Sequence, residues 1–190
     1  MDLKIILGII LAGILSNNYA LMHFLGTGSV LENERHTKRS LVLGLGTTVV
    51  MVLTTAITWP LNKFVLKKFD IEYMQIMAFV LVVIVVVELL HLVAKNILDK
   101  FCHADFVKFA INGAVLGLCI HGTEEKSYVV ALITSAAVGI GFMLTMTLFA
   151  KLKDVPVDED AIPASFRGLP IALLTAGMIV LAIMALNFKF

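Results

Sequence analysis

Charge is missing from long stretches of this 190-residue chain: no Asp, Glu, Lys or Arg occurs from Ile5 to Val30, and charged residues make up 15% of the whole against 59% hydrophobic. A water-facing globule of this size cannot bury so much apolar side chain, which excludes a soluble domain and puts the chain in lipid. The strict alternation of a membrane barrel strand is also missing, and the continuous apolar runs require helices instead. Cysteine is scarce. Cys102 and Cys119 make neither a CxxC pair nor a zinc spacing and read as unpaired, inert thiols. A net charge of +1 carries no electrostatic footprint for nucleic acid or for an anionic membrane surface. The longest connection, Lys151 to Arg167, contains DVPVDEDAIP, whose two prolines and acidic cluster suit an exposed loop and no globular unit.

Six windows remain in which charge is absent or nearly so: Ile5 to Thr27, Leu41 to Leu61, Tyr73 to Ala94, Asp105 to His121, Ser127 to Ala150 and Gly168 to Phe188. A helix needs about 20 residues to cross the hydrocarbon, and only the fourth window, with Lys108 near one end, falls short. The expectation is an all-α membrane protein of six transmembrane helices in one domain, residues 1–190. A cleaved signal peptide fits poorly, because the best cleavage site before Leu21 puts Asn18 where a small residue belongs and five further spans follow. Of the 15 Lys and Arg, six lie at the two termini and in the second and fourth loops, and nine in the other three loops. The positive-inside rule therefore predicts both termini outside the cytoplasm.

The apolar first window carries two adjacent amides, Asn17 and Asn18, and they have an echo. Asn18-Tyr19-Ala20-Leu21 resembles Asn112-Gly113-Ala114-Val115 at an offset of 94 residues, which also lays Gly28 on Gly122; an offset of 95 lays Gly44-Leu45-Gly46 on Gly139-Ile140-Gly141. Three helices separate the copies, so the second enters the membrane from the opposite face. The result is two inverted three-helix repeats, about 1–95 and 105–190, with the first and fourth helices broken near the bilayer midplane at Asn17, Asn18 and Asn112. Amides satisfy the backbone groups that such a break frees, and glycine permits the turn. The alternative is that the amides bond between intact helices.

Glu88 and His91 interrupt the third window and, three residues apart, share one helix face. They read either as an ion or proton site, with Glu88 its carboxylate and His91 a titrating neighbour, or as hydrated groups near the cytoplasmic end beside Lys95. Arg167 is expected to anchor the cytoplasmic end of the sixth helix. Gly44, Gly46, Gly139 and Gly141 lack the strand and fingerprint of a nucleotide loop and read as close helix packing.

The stretches SNNYAL followed by FLG, LGTTVVM, the tryptophan of ITWPL, AFVLVVIVVVE, NGAVLG and SFRGLPIALLTAGM together resemble the Rnf/Nqr family of integral membrane subunits, and among them its A-type members, from about Ile14 to Ala185. The resemblance implies two inverted three-helix halves in a bacterial or archaeal cytoplasmic (inner) membrane. It implies pairing with a homologous subunit of opposite topology, beside other Rnf-type subunits. Such complexes pass electrons between ferredoxin and NAD and couple this to sodium or proton translocation. It also implies a [2Fe-2S] cluster shared by the pair, held by one cysteine from each half of each partner.

Here the sequence departs from that pattern. The family's cluster-cysteine positions fall on Gly28 and Gly113, and glycine supplies neither thiolate nor imidazole. Cys119 lies six residues beyond Gly113, about 9 Å along a helix, too far to replace it simply. His23 and His121 are nearer the motifs but are not expected to ligate iron. The acidic residue of the family's third helix falls on His91, and Glu88 stands where the family tends to have glutamine. The expectation is a membrane subunit of a ferredoxin:NAD oxidoreductase that contributes scaffold and an ion path. The alternatives are a secondary transporter and a non-redox structural paralogue.

Overall fold

In the computed structural model the described residues are 8–10, 13–14, 25, 37–101, 111–125, 127–153, 163 and 169–187, and every regular element among them is helical. The second window becomes α1, Thr37–Leu61, which runs on into a wide π-helical turn, Asn62–Leu66. The chain reverses through Asp70, whose φ of 57° is a left-handed conformation that aspartate tolerates better than most side chains. A single 3₁₀ turn, Glu72–Met74, then opens α2, Gln75–Phe101. The remaining helices are α3, Gly113–Glu124, α4, Tyr128–Lys153, and α5, Leu169–Asn187.

The long helices overrun the uncharged windows at their polar ends. Helix α1 begins at Thr37 rather than Leu41, and α2 continues past Ala94 to Phe101. Backbone hydrogen bonding does not stop where charge begins, and Lys and Arg are good helix formers. In the fourth window the described helix is Gly113–Glu124, 12 residues long. Among the described residues, three helices are long and apolar enough to cross a membrane, over Ser40–Leu66, Glu72–Val93 and Tyr128–Lys151. Helix α5 contains no Asp, Glu, Lys or Arg in its 19 residues.

Helix α1 is the hub, in contact with α2, α3 and α4, and its closest neighbour is α4. Glycine sets that closeness. A Cβ on Gly44 would sit 2.9 Å from the Met143 Cα, and a Cβ on Gly139 would sit 3.0 Å from the Thr48 Cα, so neither position has room for a side chain. The two contacts mirror each other: at the offset of 95, Gly44 maps to Gly139 and Thr48 to Met143, and each glycine meets the counterpart of the other's partner. Gly141, two residues further along α4, lies against the backbone oxygens of Gly13 and Ile14, which brings the first window onto the same helix. Without a hydrophobic driving force between helices in lipid, such small-residue contacts supply the association through van der Waals packing.

Around this seam the core is apolar: Leu43 and Met51 of α1, Phe79 and Val87 of α2, Leu118 of α3 and Phe142 of α4 are all fully buried. The three-residue link between α3 and α4 makes them antiparallel neighbours. Ala176 of α5 joins the same cluster.

Candidate functional site: a polar seam between α1 and α3

The inward face of α1 is not uniformly apolar. Thr47, Thr54, Thr58 and, just beyond, Asn62 recur there at helical spacing and are buried. In lipid a free hydroxyl is costly, and the threonines solve this by bonding back to their own helix: Thr47 Oγ1 donates to the Leu43 carbonyl at 2.9 Å, Thr54 to Val50 at 2.7 Å and Thr58 to Thr54 at 2.8 Å. Two buried oxygens nearby have no partner among the described residues, Thr55 Oγ1 on α1 and Asn62 Oδ1 in the π turn. The thiol of the buried Cys119 on α3 faces the hydroxyls of Thr54 and Thr58.

Helix α3 starts where it does because of Asn112. Its backbone is extended (φ −130°, ψ 163°), and its side-chain oxygen accepts from the Val115 N–H at 3.0 Å, satisfying one of the free donors of the first turn. Gly113 follows as the first helical residue and is exposed. Further along, Gly122 comes so close to α1 that an added Cβ would stand 3.1 Å from the Thr55 methyl. The Thr123 hydroxyl donates to the Ile120 carbonyl at 2.7 Å and accepts from Gln75 Nε2 at 3.3 Å, tying the end of α3 to the start of α2.

An aromatic clamp closes this end of the seam. Pro60 has no N–H to give the Ala56 carbonyl, and the Tyr128 hydroxyl lies 3.5 Å from that oxygen. Trp59 Nε1 donates to the Glu125 carbonyl at 3.1 Å, its ring meets Tyr128 edge-on at 5.3 Å, and Lys63 Nζ stands 4.6 Å over its face. The disturbance at Pro60 is followed at once by the π turn, a usual consequence of breaking the i to i−4 ladder.

Of the residues singled out in the sequence, Asn112 and Gly113 stand at the start of α3. His121 lies near the far end of α3, exposed and 3.5 Å from the Glu124 carboxylate. Glu88 and His91 lie elsewhere, on α2. Glu88 is exposed, His91 is half-buried with its Nδ1 enclosed and unpaired among the described residues, and no ion pair or hydrogen bond joins the two. Asn17, Asn18, Gly28, His23, Cys102 and Arg167 lie outside the described residues. Sequence reasoning passed over the threonine stripe and the clamp. Their signal was there, in hydroxyls and an amide repeating at positions 47, 54, 58 and 62 and in a proline directly after the single tryptophan.

A family model described as "Rnf-Nqr subunit, membrane protein" matches residues 6–189. The chain belongs to the Rnf-Nqr family. It is 33% identical over 186 residues to the A subunit of the ion-translocating oxidoreductase complex of Syntrophotalea carbinolica, with 96% of each chain covered. The A subunit of the corresponding complex of Azoarcus sp. is 31% identical, with 93% of each chain covered. The A subunit of the Na(+)-translocating ferredoxin:NAD(+) oxidoreductase complex of Acetobacterium woodii is 28% identical, covering 94% of this chain and 95% of its own.

For this Rnf-Nqr chain the donor set does not fit the cluster that the resemblance implies. Gly113 offers only backbone at the α3 start, Cys119 is turned into α1 against Thr54 and Thr58, and Gly28 has no donor side chain. No group of three or more His, Cys, Asp or Glu side chains able to hold a metal occurs among the described residues.

Proposed function

We propose that this chain is the A-type membrane subunit of an Rnf-type ferredoxin:NAD oxidoreductase that couples electron transfer to sodium or proton translocation. Its part is the scaffold on which the complex assembles and beside which the ion passes, with the redox centre held by other subunits. The observation that carries this reading is the match to A-type members along nearly the whole chain. The absent thiolates at Gly28 and Gly113 are the reason for assigning scaffold rather than relay.

The finer architecture is part of the proposal: six spans as two inverted halves, both termini outside the cytoplasm, and a homologous subunit of opposite topology as partner. Three features support it. The Gly44–Met143 and Gly139–Thr48 contacts exchange under the repeat offset. Asn112 caps a helix of about half membrane length. Lys and Arg divide nine to six between the two sides.

Gentle purification of the tagged chain from its own membranes tests the assignment. Ferredoxin-like and flavin-bearing subunits are expected to accompany it, and iron to stay with those subunits when this chain is separated from them. A chain that purifies alone and moves a solute across liposomes by itself would instead be a transporter.

A further inference from the structure

Helix α2 buries one side and leaves the other bare. Phe79, Val83, Val86 and Val87 are buried against the chain, whereas Met77, Leu81, Val85 and Leu92 form an opposite, exposed stripe, with Leu81 63% and Leu92 68% exposed. At about 100° per residue Glu88 lies in the middle of that exposed stripe, nearly diametrically away from the buried side. Only 22% of the apolar window of α2 is buried, against 44% and 50% for those of α1 and α4.

The depth of Glu88 makes this arrangement costly for an isolated chain. The apolar run on this side of Glu88 continues to Ala94 and is broken by Lys95, so Glu88 stands six residues, about 9 Å, inside its end, and Lys95 is seven residues, about 10.5 Å, along the axis from it. Carboxylates at membrane depth face protein or a hydrated cavity, not lipid tails. Among the described residues Glu88 has no ion pair or hydrogen bond, and the buried Nδ1 of His91, one turn away, has no partner either.

We infer that the Met77–Leu81–Val85–Glu88–Leu92 face of α2 is a docking surface for a transmembrane helix of another subunit, one that brings a Lys or Arg side chain to Glu88. Charge complementarity selects the occupant: a second copy of this face would set carboxylate against carboxylate, and lipid tails offer no donor. The aliphatic residues on either side supply the packing, and the ion pair fixes register, the best-attested use of a lone buried charge. This inference rests on the proposed membership of a multi-subunit complex.

The test uses the whole complex in its native membrane, with a photo-crosslinking amino acid at Leu81 or at Leu92. Both positions are expected to give an adduct with one other membrane subunit, reduced at least fivefold by Glu88→Leu and by the isosteric Glu88→Gln. Adducts with lipid only, or with a second copy of this chain, would overturn the inference. So would Glu88→Gln leaving the adduct and subunit recovery intact while abolishing ion-coupled electron transfer, since Glu88 would then belong to the ion path. If no other subunit co-purified with the unmodified chain, the Rnf-type assignment itself would fail. Subunits that co-purify while positions 81 and 92 label only lipid would sink the docking face alone.

Discussion

Helices α1 and α2 have similar lengths and both are apolar enough to span a membrane, yet they solve opposite problems. Helix α1 carries Gly44 and a stripe of threonines on its inward side, touches three other helices and hides its polar groups by bonding them to its own carbonyls. Helix α2 is built mainly from Val, Ile, Leu and Met, has no glycine, and presents a carboxylate on its most exposed face. In lipid, where apolar surface alone does not drive helices together, small residues mark the contacts a chain makes with itself. The aliphatic face of α2 centred on Glu88 is the surface we infer a partner helix to cover, since a carboxylate at membrane depth does not face lipid tails.

The largest predicted effect breaks the α1 side of this contrast. Gly44→Leu or Gly139→Leu forces a side chain into backbone, and even the single methyl of an alanine there is expected to cost about 1–3 kcal/mol. The leucine variants are expected to abolish recovery of folded protein, read as loss of the monodisperse peak in detergent chromatography. Gly177→Ala, where an added Cβ meets nothing within 4 Å, is the control and is expected to behave as the parent.

Next comes the α3 cap. Asn112→Ala removes the acceptor for the Val115 N–H and is expected to cost about 0.5–2 kcal/mol, with Asn112→Asp or Asn112→Ser retaining most of the stability. Thermal unfolding of the purified protein reads the difference. Lys63→Met is expected to cost less, about 0.5–1 kcal/mol, because it removes the cation over Trp59 while leaving the indole bond to Glu125. The smallest effect is on α2 itself: Leu81→Ala in the isolated protein is expected to change stability by no more than about 0.5 kcal/mol, because its side chain is exposed there.

Much of this was legible in the sequence. Absence of charge marked the membrane helices, since only continuous apolar runs survive in hydrocarbon. The glycine pairs marked the α1–α4 seam, because glycine in an apolar helix has few uses other than close approach. Asn112 could be singled out because an amide in such a window must find a backbone partner. The threonine stripe escaped because each hydroxyl is nearly neutral in hydropathy, and its meaning depends on which face turns inward. Likewise spacing put Glu88 and His91 on one side of a helix but could not say that Glu88 points away from the chain while the His91 Nδ1 is enclosed.

The contrast between a self-packed α1 and a partner-packed α2 is tested most directly by thiol labelling in the membrane. Cysteine would be placed at Leu81 or, as the internal control, at the fully buried Val50, in a background with Cys102 and Cys119 replaced by serine and alanine. A membrane-permeant maleimide should label position 81 when the chain is expressed without its partners and fail to label it in the assembled complex, while position 50 stays unlabelled in both. Equal labelling of position 81 in the two settings would show that nothing covers α2, and would contradict the account.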